Sequence, residues 1–223
     1  MKSLYFAIAL VVLAVGSKAA SQSTDMPAPA ATSSPTTTYT TGQHEVHGKT
    51  VIAKGSALVQ MYDGGTVSSY DNATVKAYDT SHVDSHGQST VYAYANTKTT
   101  AYDNSHVLAQ NNAEVEGNNS AVIEASGNTT ITVRSNAVVY ARGNAKIKAY
   151  DNASVVAQGD ATVESWGHAS IIAQNNVKVI AHEGSTVTAS GEAEVTAEPT
   201  VQVTSYGLSK RLPLKVPTSA NAK

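Results

Sequence analysis

One apolar position in eight organises this chain. Stepping by eight from Val51 meets Val59, Val67, Val75, Val83, Val91, Thr99, Val107, Val115, Ile123, Ile131, Val139, Ile147, Val155, Val163, Ile171, Val179, Val187, Val195 and Val203. Nineteen of these twenty positions are Val or Ile, and from Val51 onward the step never slips. Two residues to either side the chain usually places Ala, otherwise mostly Ser, Gly, Thr or Val; Ala73 and Ala77, and Ala145 and Ala149, are examples. A triplet then follows, typically Tyr-Asp-Asn, as at Tyr70-Asp71-Asn72 and Tyr150-Asp151-Asn152. The unit reads A-x-V-x-A-[YQ]-[DGN]-N.

Alternation with period two puts Ala, Val and Ala on one face of a short strand. Asp, Gly and Asn in the triplet suit turn or left-handed backbone. A strand and turn of eight residues cannot bury its own apolar face, so copies must stack in parallel and share a row of Val flanked by Ala. Each unit's backbone groups then pair with the copies above and below. The sequence therefore predicts an all-β parallel β-solenoid, a β-helix or β-roll.

The outward residues set the number of units per coil. Alternate units, centred on 51, 67, 83 and onward to 195, carry Asp84, Lys98, Glu114, Glu116, Lys146, Lys148, Glu164, Lys178 and Glu194 at outward positions. The intervening units carry only Lys76 and Glu124. Nine charges against two is the asymmetry of a two-sheet coil, with two strands in about 16 residues, about ten coils and a column about 48 Å long at about 4.8 Å per coil.

Over residues 49–208 the repeat resembles the octapeptide β-solenoid arrays (A-x-V-x-A-Y-D-N) of secreted and surface proteins. That resemblance implies the fold and a functional range of adhesins, filament formers and ice-binding proteins. The calcium-binding nonapeptide β-rolls do not match, because the G-G-x-G-x-D-x-U-x spacing is absent.

The flanks predict an address. Lys2 precedes an apolar run from Leu4 to Val15, too short for a membrane span, and Ser17 and Ala19 place small residues before a cut after Ala19. Residues 1–19 read as a signal peptide, 20–42 as a disordered Ser/Thr/Pro/Ala linker, 43–208 as the solenoid and 209–223 as a basic tail. The irregular Gln43–Gly48 and Tyr206–Pro217 segments are expected to cap the two ends, and Lys210-Arg211 has the form of a dibasic processing site. Without Lys2 and Lys18 the balance is 13 basic to 17 acidic residues, which argues against a nucleic-acid footprint. No Cys is present, so stacking rather than disulfides must hold a secreted chain together.

The weakly charged sheet is the candidate contact surface. Its outward positions include Leu58, Tyr92, Leu108, Val122, Val138, Tyr140, Val156, Ile172, Thr186 and Thr188. A flat strip with this apolar content on a secreted protein marks a contact for a glycan, another cell-surface or extracellular polymer, or a second copy, through this face or through the solenoid ends. Two further readings are an ice-binding array, for which Thr186 with Thr188 and Thr130 with Thr132 are the only suitable pairs considered, and a secreted effector of a host-associated microbe.

Other features have structural explanations. Tyr70, His86, Tyr102, Arg134, Tyr150, Trp166 and His182 line one turn edge; Tyr62, Tyr78, Tyr94, Gln110, Arg142, Gln158 and Gln174 line the other, as stacking ladders. His82, Asp84 and His86 spell H-x-D-x-H on one outward side, too widely spaced for chelation at about 6.8 Å between alternate strand residues. Asn72, Asn118, Asn128 and Asn152 begin N-glycosylation sequons that the repeat itself generates. Carboxylates are scattered, the Glu114 and Glu116 pair aside, and no nucleophile elbow, zinc-protease or P-loop motif occurs. The reading is of a non-catalytic protein without metal or cofactor and without a membrane span.

Overall fold

Two parallel sheets form as the octapeptide alternation predicts. A computed structural model describes residues 36–214. The signal peptide, and the linker and tail beyond those bounds, lie outside the described residues. Strands number β1 to β23 in chain order: the odd-numbered ones make a twelve-stranded sheet, here sheet A, and the even-numbered ones an eleven-stranded sheet B. Typical strands such as β3 (Thr50–Ala53), β6 (Thr74–Ala77) and β15 (Lys146–Ala149) are four residues long. Every pairing is parallel, and beyond the first coil it joins residues sixteen apart, as in Val51↔Val67 and Val139↔Val155.

The corner explains the triplet. Ala73 N–H donates to the Tyr70 carbonyl at 3.1 Å, closing a tight turn, while Tyr70 N–H reaches back to Ala53 at 2.9 Å and so continues the pairing between coils. The second residue of the triplet has left-handed backbone: Asp71 at φ 59, Asp103 at 57 and Asp151 at 58. Asp there adds a bond, since the Asp71 carboxylate accepts the Gly55 N–H of the coil below at 3.1 Å, and Asp103 and Asp151 repeat the arrangement on Gly87 and Ser135. The step shifts by one at Gly184, which takes positive φ in place of Glu183, and is missing at Pro199, whose ring excludes that conformation.

Inward side chains form a thin continuous core. Val59, Val75, Val91, Ile123, Val139 and Val163 are each 0 % exposed, with Ala at most of the flanking places and Met61, Ser89 and Ser165 at the others. Sizes compensate across the two sheets. A side chain on Gly117 would stand 2.5 Å from Ile123 Cδ1, so Ile123 fills the space that Gly117 leaves. Polar exceptions to the pattern differ in how they are accommodated. Ser85 and Ser89 hydroxyls bond each other at 2.7 Å, and Ser89 donates on to the His86 carbonyl at 2.8 Å. Thr99, the one interruption of the Val row, is 2 % exposed and its hydroxyl has no partner.

The ends correct three expectations. The solenoid reaches past both predicted bounds: β1 (Thr37–Tyr39) lies in the stretch expected as linker, and β23 (Lys210–Pro213) in the expected tail, giving one coil more than predicted. Gln43–His47 is strand β2 of sheet B rather than an irregular cap. The turn after β2 is one residue short, so Gln43 pairs with Leu58 and His44, not Gln43, stands in the Val row. Tyr39 and His44 then stack at 3.9 Å across the open N-terminal end, and His44 Nε2 is 2.8 Å from the Thr41 carbonyl. At the other end Arg211 occupies the Val place opposite Val195 and lies over the carbonyls of Val201, at 3.3 Å, and Glu198, at 3.5 Å. Pro213 pairs opposite Ala197. An inward charge and a proline blunt a strand edge against further addition.

Burying an unpartnered hydroxyl costs more than burying the isosteric methyl. Thr99→Val is therefore expected to raise stability by about 1 kcal/mol in thermal or denaturant unfolding. An unchanged or lowered midpoint would show that the Thr99 hydroxyl is satisfied in solution.

Candidate binding face

Parallel stacking turns each outward position into a file of residues, one per coil. Sheet B carries two files. One runs Leu58, Thr74, Thr90, His106, Val122, Val138, Ser154, Ser170, Thr186 and Gln202; the other runs Gln60, Lys76, Tyr92, Leu108, Glu124, Tyr140, Val156, Ile172, Thr188 and Thr204. Leu58, Tyr92, Leu108, Val138, Tyr140, Val156, Ile172, Thr186 and Thr188 thus share one sheet. Tyr140, 50 % exposed, and Ile172, 40 % exposed, project furthest.

The sheet is not uniformly flat. The pairing of β10 (His106–Asn111) with β12 (Val122–Gly127) runs on into the corner, and Ser126 stands in the corner row where Gln110 and Arg142 flank it. The small serine leaves a shallow depression lined by Leu108, Gln110, Glu124, Ser126, Tyr140 and Arg142. Glu124 Oε1 is 3.1 Å from His106 Nε2, whereas Arg142 joins no ion pair among the described residues. Apolar and aromatic members of this site were read from the sequence. Glu124, Gln110 and Arg142 were assigned elsewhere, to the sheet's few charges and to a turn ladder, because period eight says nothing about how a corner side chain leans over a sheet.

The corner ladders form in part as expected. On one edge Lys54 covers Tyr70, which stacks on His86 at 5.0 Å, and His86 on Tyr102 at 4.7 Å. Asn118 interrupts this edge, and stacking resumes with Arg134 over Tyr150, then Trp166 at 4.6 Å and His182 at 5.0 Å. On the other edge His47, Tyr62, Tyr78 and Tyr94 stack at 5.1, 4.7 and 5.1 Å, and Gln158 donates to Gln174 at 2.8 Å. Near-parallel stacking and hydrogen bonding between coils add side-chain attraction to the backbone pairing.

The remaining candidates separate in space. His82 and Asp84 leave sheet A together, with Nε2 and Oδ1 3.4 Å apart, but His86 belongs to the corner ladder between Tyr70 and Tyr102, so H-x-D-x-H does not share one outward side. Among the described residues no three His, Asp or Glu side chains converge as a metal-ligand set. Thr130 and Thr132 lie on sheet A between Glu114/Glu116 and Lys146/Lys148, while Thr186 and Thr188 lie on sheet B next to Ser170/Ile172. Each threonine pair is thus bordered by different chemistry. Sequon residues Asn72 and Asn152 are exposed at the corner after sheet A and Asn128 at the corner after sheet B; Asn118 is half-buried in the ladder. The described residues contain no helix long and apolar enough to cross a membrane. Glu114 lies 3.3 Å from Lys98, and Glu116 lies 2.6 Å from Arg134.

Two histidines sit between carboxylates. His47 lies 2.7 Å from Asp63 and 3.0 Å from Glu45, and the bonds to those acids hold its pKa above the usual value. His182 Nδ1 donates to Glu198 at 3.0 Å, and its Nε2 is 3.5 Å from Glu164, within ion-pair reach but beyond a well-formed hydrogen bond. The His182 bond, helped by the Glu183 N–H at 2.9 Å, holds the Glu198 carboxyl below its usual range.

No family model matches the chain, and the search of curated proteins and of solved structures finds no match to it.

A carboxyl held low in the folded state stabilises the fold above its unfolded pKa and loses that contribution as pH falls through the folded value. The Glu198 contribution is therefore present at neutral pH and disappears on acidification below the ordinary Glu range. In an NMR titration the Glu198 carboxyl should protonate below that range in the folded protein, and His182→Ala should move its midpoint upward. An unmoved midpoint would assign the depression to other groups.

Proposed function

We propose that this chain is a secreted, non-catalytic binding protein that holds a carbohydrate polymer against sheet B. The single observation that carries the reading is the depression around Tyr140, where an exposed aromatic ring is bordered by Glu124, Gln110 and Arg142. A sugar ring presents an apolar C–H face and a rim of hydroxyl groups. Tyr140 offers a surface for the first; a carboxylate, an amide and a guanidinium offer acceptors and donors for the second. The file onward through Val156 and Ile172 extends the contact along the column, so a polymer meets the same kind of surface coil after coil.

Polar groups around the ring favour a hydroxyl-rich ligand over an apolar one. An apolar partner laid on this face would bury the Arg142 guanidinium, which joins no ion pair among the described residues, at a cost that a hydroxyl-rich ligand avoids. The non-catalytic part rests on the engagement of the Glu114 and Glu116 carboxylates, with Lys98 and Arg134 respectively. Export rests on Lys2, the apolar run Leu4 to Val15 and the small residues Ser17 and Ala19, together with the resemblance of the repeat to secreted surface arrays.

A glycan array probed with the full chain tests the proposal. Binding to a defined set of polysaccharides is expected, and Tyr140→Ala should weaken it by about tenfold, equivalent to about 1.4 kcal/mol. Val138→Lys with Val156→Lys should also weaken it while leaving the β-sheet circular dichroism intact. Binding that survives both changes would remove sheet B from the account.

A further inference from the structure

Sheet A has an order in its charges that the solenoid does not need. Taken coil by coil from β7 (His82–Ser85) to β19 (Lys178–Ala181), its outward residues carry Asp84; then Lys98; then Glu114 and Glu116; then only Thr130 and Thr132; then Lys146 and Lys148; then Glu164; then Lys178. With histidine neutral, the coil charges run −1, +1, −2, 0, +2, −1, +1. The series inverts sign about the threonine pair, coil for coil over all seven.

That antisymmetry is the signature of an isologous contact. Lay a second copy on sheet A with its column reversed, related by a two-fold axis parallel to the strands and passing over Thr130 and Thr132. The operation keeps position along the strand and inverts coil order. Glu114 then faces Lys146 and Glu116 faces Lys148, twice over by symmetry. Lys98 and Thr100 face Thr162 and Glu164, and His82 and Asp84 face Lys178 and Ile180. Small threonines meet each other at the axis. Beyond the seven coils, Thr66 and Ser68 face Glu194 and Thr196, and Thr50 and Ile52 face Lys210 and Leu212, with no like charges opposed. Moving the axis half a coil in either direction sets Lys98 against Lys146 and Lys148, or Glu114 and Glu116 against Glu164. An axis along the column instead sets Glu114 on Glu116 and Lys146 on Lys148. One arrangement is attractive, and its neighbours are repulsive.

We infer that sheet A is a dimer interface, and that its partner is a second copy of this chain in antiparallel register about Thr130 and Thr132. Charge is available for it: Lys146, Lys148 and Lys178 join no ion pair among the described residues, and the carboxylates of Glu114 and Glu116 keep lone pairs free beyond their intrachain bonds. The area suffices. Eleven strands of sheet A from Thr50 to Pro213, at about 4.8 Å per coil and four residues of about 3.3 Å, give a face of roughly 700 Å², within the range of about 600–1,000 Å² a side for standard complexes. The blunted column ends direct association to a face rather than to end-to-end growth. The dimer leaves both copies of sheet B outward, so it stands independently of the carbohydrate proposal.

Charge reversal tests the register directly. Sedimentation or light scattering of the full chain should give twice the chain mass at low salt, shifting toward the monomer at high salt. K146E with K148E in one variant, and E114K with E116K in another, should each weaken the dimer by roughly a hundredfold, because each sets like charges face to face. An equimolar mixture of the two variants should regain the dimer as a heterodimer, and a chain carrying all four changes should regain it alone. Circular dichroism confirms that these surface variants remain folded. A wild-type chain that stays monomeric up to its solubility limit overturns the inference. So does a dimer that both variants retain, one that neither the mixture nor the fourfold variant restores, or one abolished by Val138→Lys with Val156→Lys, which would put the contact on sheet B.

Discussion

Return in register is the constraint on which this molecule depends. A row of Val and Ile is buried only if each coil comes back after sixteen residues and sets its branched side chain on the one below. A residue lost from within a strand would turn its apolar set outward and break the alternation on which burial rests. The corners enforce the count. Most are tight turns with a left-handed residue, and at Asp71, Asp103 and Asp151 the carboxylate of that residue ties to the preceding coil. The two short turns, after β1 and after β2, lie at the N-terminal end, where they set His44 in the Val row and stacked on Tyr39 across the open end.

Because the interior is specified by so few residue types, the exterior is free to vary without cost to the fold. Two outward positions per strand, multiplied by parallel stacking, become long files whose chemistry is set by the sequence one coil at a time. Sheet A uses this freedom for charge, with two carboxylates and two lysines symmetrically placed around Thr130 and Thr132. Sheet B uses it for aromatic and branched side chains, with the small Ser126 opening a depression beside Tyr140. A rigid scaffold carrying two unlike faces is suited to joining two different things, which is the role we propose for it.

The sequence disclosed the interior far better than the surfaces. Period two within the unit and period eight along the chain identify strand, inward face and coil length, since burial leaves little choice at those places. The charge asymmetry correctly sorted units into two sheets. The bounds were drawn too tight because single residues mark the ends: Thr37 and His44 hold Val places without apolar chemistry, and Arg211 and Pro213, inside the segment expected to cap the C-terminal end, hold repeat places with the wrong chemistry for them. His86 was grouped with His82 and Asp84 because alternation was extended past the strand into the corner, where it no longer holds. The Tyr140 depression was half visible, its polar border depending on side chains from the corner row.

The inward and outward assignments are tested most directly at two adjacent, chemically identical residues. Ile171 is 1 % exposed in the Val row, and Ile172 is 40 % exposed on sheet B. Thermal unfolding of Ile171→Lys and Ile172→Lys, followed by circular dichroism, compares them on equal terms. The account predicts that Ile171→Lys loses several kcal/mol or fails to fold, because it buries an unpaired charge, while Ile172→Lys stays within about 0.5 kcal/mol of the parent. Equal effects, or the larger loss at Ile172, would contradict a shared interior built from every eighth residue.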